Sequence, residues 1–211
     1  MTYTDLQTRA ALLASFDGWS NAIPAPDWPT LVNEAWRRFS WEAELFTATV
    51  NVSTASGQSA YPLSPFMKRV LDLTCGGVPL RKSSVEFERF LSPGWRTVQG
   101  TPLRFVQDST SSVAIVPVPS STLALAVVGV IEGSNMTATT DQPGQVGGVG
   151  TPIPSNLHEA IALKAAYMQG QIAMQGESSS RMQMYEQEYA GFVNRCLAAN
   201  GRLEQSDAAA A

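Results

Sequence analysis

The stretch LSPGWRTVQGTPLRFVQDSTSSVAIVPVPSSTLALAVVGVI, residues 91–131, decides the fold class. It reads as a turn, a strand carrying Trp95, a Gly-Thr-Pro turn and three more strand-like segments bounded by turn residues. Pro102, Pro117 and Pro119 cannot donate ladder hydrogen bonds, so we expect them at strand ends or sheet edges. The spacing predicts strands over residues 95–99, 103–107, 113–116 and 123–131.

Helical sequence lies on both sides of this β-rich stretch. Before it, a short helix is predicted over residues 5–16, and Asp27 is the expected N-cap of a second helix that reaches Phe46. After it, apolar residues at helical spacing predict two helices within residues 157–197, interrupted at residues 176–180. Because short connections favour antiparallel neighbours, these two helices should form a hairpin.

Between the N-terminal helices and residue 91, the spacing of apolar residues is no longer purely helical. Residues 46–52 alternate apolar and polar side chains, which predicts a half-buried strand. Ser64 and Pro65 predict the start of a helix that ends at the glycine pair after Cys75. A capping-box pattern over residues 83–86 predicts another short helix.

These elements together predict an α+β fold. The N- and C-terminal helices should form a helical bundle with a central antiparallel β-sheet or sandwich module. We expect one structural unit with five segments: N-terminal helices (1–46), a β-rich module with short helices (47–140), a Gly/Pro loop (141–154), a C-terminal helical hairpin (155–198) and a flexible tail (199–211).

Composition narrows the range of possible functions. The 211 residues carry a net charge of −4, which argues against nucleic-acid binding by the chain as a whole. Charged residues make up only 15%, so the surface suits packing against other subunits, or is simply a quiet soluble surface. Cys75 and Cys196 are expected to be reduced thiols. No signal peptide or membrane-spanning stretch is visible, which predicts a cytoplasmic site of synthesis and no membrane partner.

The sequence offers little catalytic chemistry. The single His158 has no nucleophile tied to it, and one histidine cannot form a multi-histidine metal site. The glycine run at residues 144–150 lacks the Lys-Ser/Thr ending of a phosphate-binding loop. We therefore expect no catalytic residues, no cofactor, no metal and no enzymatic activity.

An ordered series of short motifs points to a family. The series is LVNEAWRRFSW (31–41), YPLSPF (61–66), RKSSVEFERF (81–90), SPGW (92–95), GTPLRF (100–105), VAIVPVPSSTLALAVVG (113–129) and IPSNLHEAIALKAAYM (153–168). In that order, these motifs resemble the head-to-tail adaptor proteins of tailed bacteriophages, also called neck or connector proteins.

The resemblance implies a structural virion protein. It implies a homo-oligomeric ring, usually of twelve subunits, beneath the portal protein at the head–tail junction. Such a ring extends the channel through which genomic DNA passes without sequence-specific binding, and it attaches the tail or the next neck protein. Assembly would take place in the host cytoplasm.

Partner-binding residues are predicted at the level of regions. Within the Gly/Pro loop, Gln142, Gly147 and Gly150 are candidates because a loose loop can order on a neighbour. The resemblance implies that the C-terminal segment docks on the portal, which adds a second set of candidates: Met182, Tyr185, Tyr189, Arg195 and Arg202.

Three alternatives remain open on sequence alone. One is another virion ring, such as a tail terminator or a neck stopper. Another is a carbohydrate-binding β-sandwich module that uses Trp19, Trp28 and Trp95, which lie near predicted turns. The third is a small hydrolase with His158 as its base.

Overall fold

The structure is a computed structural model that describes residues 1–16, 18–19, 25–107, 109, 111–174 and 179–200. The chain divides into two compact units. The helical unit comprises Met1–Leu45 and Gly133–Ala211, and the β unit comprises Phe46–Glu132. The sequence had suggested one structural unit with a β module ending at residue 140, so the structure differs on both points.

The segment that follows the β unit explains the shifted boundary, because it hydrogen-bonds to a helix of the helical unit. The Trp36 indole N–H donates to the Ser134 carbonyl at 2.9 Å, and the Gly133 N–H donates to the Ser40 hydroxyl at 2.7 Å. Asn33 exchanges two further bonds with the Met136 backbone at 2.8 and 3.0 Å. These buried polar contacts place residues 133–136 with the helices.

The described residues form five α-helices: α1 (Tyr3–Ser15), α2 (Trp28–Glu42), α3 (Val85–Leu91), α4 (His158–Ala173) and α5 (Ser180–Ala199). The predicted cap is confirmed, because the Asp27 carboxylate accepts the Thr30 N–H at 3.2 Å with Pro29 in the first turn. The predicted end of α2 at Phe46 is wrong. The chain leaves the helix after Glu42 and adopts a positive φ of 50° at Glu44.

Helix α4 is the centre of the helical unit, where it packs against α1, α2 and α5. Half of its ten buried residues are small, which allows neighbouring helices to approach closely: Ala160, Ala162, Ala165, Ala166 and Gly170. The predicted α4–α5 hairpin is confirmed as antiparallel. Lys164 near the middle of α4 lies over the Tyr189 ring at 4.5 Å, while Glu159 at its start and Arg195 near the end of α5 line one cavity.

The β unit contains strands β1 (Thr47–Ser53), β2 (Ala60–Pro62), β3 (Met67–Cys75), β4 (Val78–Pro79), β5 (Arg81–Ser83), β6 (Gln99–Gly100), β7 (Arg104–Val106), β8 (Ser112–Val116), β9 (Val118–Pro119) and β10 (Ala124–Ile131). Two further strands, β11 (Gln145–Val146) and β12 (Val149–Gly150), lie in the helical unit.

Two four-stranded sheets form the β unit. One has the order β1-β10-β3-β4 and is antiparallel, and the other has the order β2-β8-β7-β5 with β5 and β7 parallel. Side chains from both sheets share one buried cluster, to which β3 and β10 contribute from the first sheet and Tyr61, Phe105 and Ile115 from the second. The unit is therefore a sandwich, and the predicted α+β class is confirmed.

The helix predicted after Ser64 and Pro65 is wrong, because Met67–Cys75 is a strand. Its apolar residues fit helical spacing equally well, but the segment pairs with β10 along most of its length and buries Val70 and Leu73 in the sandwich core. The glycine pair does end the element, as predicted, but in a β-hairpin turn. Gly76 and Gly77 have φ values of 59° and 80°, which is the geometry of a type I′ turn.

Two other predicted elements differ in detail. The strand expected at residues 95–99 is reduced to β6, and Trp95 instead lies in a turn with its side chain buried beside Val106 and Val116. The Gly/Pro loop contains the β11–β12 hairpin. The Asp141 carboxylate connects the turn of this hairpin to the preceding segment, since it accepts N–H groups from Thr137, Ala138 and Gly147 at 2.7–2.9 Å.

Candidate interaction surfaces

A groove runs between α1 and α5 over α4 in the helical unit, and we call it the α1–α5 groove. Its two adjoining cavities measure about 620 and 530 Å3 and share Glu159, Leu163 and Glu188. The first cavity is further lined by Arg9, Leu13, Phe16, Ser180, Arg181, Met184 and Tyr185, and the second by Gln187, Gly191, Phe192 and Arg195. An apolar floor with charged groups around it suits a protein segment with one apolar face.

Large apolar side chains at the groove are open to solvent. The Phe16 side chain is 63% exposed and Met184 is 43% exposed. The Arg181 guanidinium lies 5.8 Å from the centre of the Phe16 ring, within cation–π range. Exposed apolar groups concentrated at a concave surface are a common sign of a protein-binding site.

An ion pair connects α1 and α4, two of the helices that line the groove. Arg9 of α1 makes a bidentate contact with Glu159 of α4, with its Nη2 2.7 Å and its Nε 3.0 Å from Oε1. The hydrogen bonds to Glu159 raise the pKa of Arg9. Because both side chains remain about one third exposed or more, the pair mainly fixes the spacing of the two helices and adds little stability.

The predicted C-terminal site residues fall into different environments. Tyr185 and Arg195 line the groove, where the Arg195 guanidinium lies 4.3 Å from the centre of the Phe192 ring. Tyr185 is only 3% exposed, and its hydroxyl donates to the Leu13 carbonyl at 3.1 Å. It is thus mainly a packing residue that ties α5 to α1. Arg202 lies outside the described residues.

Met182 and Tyr189 are core residues of the helical unit. Met182 is 2% exposed at the start of α5. The Tyr189 hydroxyl donates to the Glu42 carboxylate at 2.7 Å, and the Lys164 ammonium lies over its ring. Burial, with the hydrogen bond to Glu42, raises the pKa of the Tyr189 phenol far above its usual value. These two positions hold α5 in place.

The predicted loop residues belong to the β11–β12 hairpin. Gln142 forms an isolated bridge with Gln145, and Gly147 donates its N–H to Asp141. Gly150 has a φ of 95°, and a Cβ there would collide with the Gly144 carbonyl. The glycines at these positions are required by the turn geometry. At the exposed end of this hairpin, Val149 is 78% exposed.

A second apolar surface lies in the β unit, and sequence reasoning missed it. Phe87, Phe90 and Leu91 on α3 are 50%, 85% and 51% exposed, and we call them the α3 ridge. The residue that α3 buries is Glu88, which makes a bidentate ion pair with Arg104 of β7 at 2.6 and 3.0 Å. Hydrogen bonding to Arg104 lowers the pKa of the Glu88 carboxyl.

The sequence signal for the α3 ridge is ambiguous. Positions 87, 90 and 91 share one helical face, and the capping-box pattern predicts the helix without showing which of its faces is buried. Positions 85 and 88 share the opposite face, and Val85 packs against the cluster around Trp95. Only the partner of Glu88, sixteen residues away on another element, identifies the buried face.

Both ring nitrogens of His158 have polar neighbours, as expected for a histidine with a structural role. Its Nδ1 lies 2.6 Å from the Met1 amino group, and its Nε2 lies 3.1 Å from the Ile153 carbonyl oxygen. Burial, together with the nearby amino group, lowers the pKa of the imidazole. Within the described residues, no group of three or more His, Cys, Asp or Glu side chains is placed to bind a metal ion.

Both cysteines are free thiols and buried, as the sequence predicted. None of the helices in the described ranges has the length and apolar character needed to cross a membrane.

A family model described as SU10 adaptor protein matches residues 1–210. A search of the curated proteins found no match to the chain.

Proposed function

The chain belongs to the SU10 adaptor protein family, a family of phage head-to-tail adaptors, and on that premise we propose that it forms a ring beneath the portal. The ring is expected to contain twelve copies, to extend the DNA channel and to attach the tail or the next neck protein. The observation that carries this proposal is the family match over residues 1–210.

Two separate apolar surfaces support ring assembly. A subunit of a ring that sits on a portal needs one surface for the portal and other surfaces for its neighbouring copies. The α1–α5 groove and the α3 ridge differ in shape, since one is concave and flanked by charged groups and the other projects exposed aromatic rings. Each exposes apolar side chains that a partner would cover.

We assign the α1–α5 groove to the portal. One wall of the groove is α5, which lies in the C-terminal segment that the resemblance implies docks on the portal. Phe16 and Met184 offer exposed apolar contact, while Arg181 and Glu188 can fix the orientation of a docked segment. The α3 ridge is assigned to contacts between neighbouring copies.

The proposed role is structural and not enzymatic. Genomic DNA would pass through the ring without sequence-specific contacts, in keeping with the net charge of −4. The protein would reside in the virion neck after assembly in the host cytoplasm. The channel-facing residues would then be those that neither the portal nor the neighbouring copies cover.

The test is electron microscopy of the purified protein, alone and mixed with the portal of its own phage. We expect a twelvefold collar on the portal. Met184→Glu should weaken portal binding, because it places a charge in the groove, while the matched control Ile172→Glu alters an exposed apolar residue of the same unit that does not line the groove. Phe90→Glu should prevent ring closure, with Val78→Glu as its control.

Two other outcomes would change or refute the proposed role. A ring that forms without the portal and does not bind it would indicate a tail terminator or another neck ring. A monomer that ignores the portal would refute the connector role. Two of the three tryptophans proposed for the carbohydrate-binding alternative, Trp19 and Trp95, are only 5% and 3% exposed and cannot serve as sugar platforms, whereas Trp28 is partly exposed.

A further inference from the structure

Strand β1 lies at the edge of the first sheet and pairs on one side only, with β10. Two hydrogen bonds fix which residues face β10: Ile131 N–H donates to the Phe46 carbonyl at 3.1 Å, and Thr54 N–H donates to the Leu123 carbonyl at 2.8 Å. In an antiparallel pair, the direction of the backbone groups alternates along the strand. The even-numbered residues therefore bond to β10, and the odd-numbered ones point away.

The outer edge of β1 therefore presents the N–H and C=O groups of Thr47, Thr49, Asn51 and Ser53. Their side chains are exposed, and in the described ranges of the chain no strand pairs with this edge. A row of unpaired backbone donors and acceptors is a template for another extended chain.

The other outer edges of the two main sheets carry features that discourage strand addition. Pro79 lies in β4, Pro62 lies in β2, and Arg81 and Lys82 are two of the three residues of β5. β1 has seven residues, no proline, no charge and no bulge in its register with β10. Because proline, charge and bulges are the usual protection of edge strands, β1 is suited to pairing.

We propose that β1 pairs antiparallel with β1 of a second copy of this chain, about a two-fold axis at Val50. This register places Thr47 opposite Ser53 and Thr49 opposite Asn51, so each outward-pointing residue meets another outward-pointing residue. The four residue pairs would each form two hydrogen bonds, and the two four-stranded sheets would become one continuous sheet.

The side chains of β1 fit this occupant. On the solvent face the register brings together only Thr, Asn and Ser, so no like charges meet. On the core-facing side, Val50 lies opposite its own counterpart, and Ala48 lies opposite Val52. These three residues are half-buried in one copy, and a second copy would continue their apolar row.

The proposed dimer is the form of the free protein, before it binds other virion components. The proposal does not depend on the proposed ring. A two-fold contact uses the same surface on both copies and so closes after two. It would give the free protein a defined form in which the β1 edge is covered.

The test is disulfide trapping with variants that each add one cysteine to the two buried native ones. In the proposed register, the two copies of residue 50 form a non-hydrogen-bonded pair with Cα atoms about 4.5 Å apart, within the range that a disulfide requires. Val50→Cys should therefore give a covalent dimer under mild oxidation. The matched control is Thr49→Cys, which is more exposed but whose two copies would lie about 8–9 Å apart, too far for a disulfide.

We expect Val50→Cys to cross-link at least about tenfold faster than Thr49→Cys or the native protein, whose two cysteines are buried. Sedimentation should give a dimer for the native chain and a monomer for the double variant Thr49→Lys/Asn51→Lys, with unchanged circular dichroism. A native monomer at about 100 µM, or equal cross-linking of both cysteine variants, would overturn the dimer. Neither result would affect ring formation on the portal, which is read separately by microscopy.

Discussion

Replacing Glu88 by glutamine removes the charge that docks α3 onto the β unit. Glu88 is 1% exposed, and both of its oxygens accept hydrogen bonds from Arg104, which is itself 30% exposed. Removing one partner of a fully buried ion pair costs about 3–5 kcal/mol. Because Arg104 retains access to water, we expect Glu88→Gln to lower the free energy of unfolding of the β unit by about 2–3 kcal/mol.

The pH dependence identifies the charge as the cause. Arg104 holds the pKa of the Glu88 carboxyl below its unfolded value. The pair therefore contributes its full stability above the unfolded pKa of about 4.3, and that stability is lost as the pH falls through the folded pKa. The difference between native protein and Glu88→Gln should be largest at pH 7 and should shrink below about pH 4.

The assay is urea unfolding of protein labelled with 5-fluorotryptophan, followed by fluorine NMR. Trp95 is the tryptophan of the β unit, while the other four lie within the first 45 residues, so its signal reports this unit alone. Trp95 also packs in the cluster that contacts Val85 of α3. The control is Glu86→Gln on the exposed side of α3, which should leave the free energy of unfolding nearly unchanged. Equal effects of the two variants, or a Glu88→Gln effect that is the same at pH 3 and pH 7, would refute the reasoning.

Three further predictions concern other parts of the chain. Gly133→Ala should destabilise the helical unit by about 1–3 kcal/mol in thermal unfolding, because a Cβ would lie 2.5 Å from the Trp36 ring; Gly191→Ala, whose Cβ would only touch Arg195 at 3.8 Å, should be neutral or stabilising. Asp141→Asn should speed amide hydrogen exchange at Gly147, and unchanged protection there would contradict the role of this carboxylate. Because three backbone N–H groups lower the pKa of Asp141, the native exchange rate at Gly147, corrected for the intrinsic pH dependence of exchange, should rise below about pH 4. Burial raises the pKa of the Cys75 and Cys196 thiols, so both should react with a thiol reagent at pH 8 only after unfolding, and rapid modification of the native chain would show that the described packing is wrong.

Sequence patterns predicted the elements whose signals are local. The cap at Asp27 and the β10 strand depend on neighbouring residues, and both are present. The pattern failed at Met67–Cys75, where apolar spacing fits a helix or a strand and only pairing with β10 decides between them. At α3 the pattern predicted the helix but not its buried face, because the distant Arg104 determines which face is buried.

The same difference between local signals and distant contacts determines how much of the candidate site could be predicted. The sequence placed partner-binding residues on α5, and Tyr185 and Arg195 do line the groove. It could not separate Arg195, which is exposed, from Met182, Tyr185 and Tyr189, which are almost fully buried. Which side of a helix remains open depends on the packing of α1 and α4, and those contacts join residues about 150 positions apart.

The division of the chain has a consequence for biosynthesis. The β unit is one continuous segment, whereas the helical unit is assembled from both ends of the polypeptide. At about 5–20 residues per second, a ribosome needs several seconds to tens of seconds to make the roughly 110 residues between α2 and α4. During that interval α1 and α2 have emerged without the helix that covers their apolar faces, so the nascent chain presents a chaperone-accessible surface while its inserted sandwich can already fold.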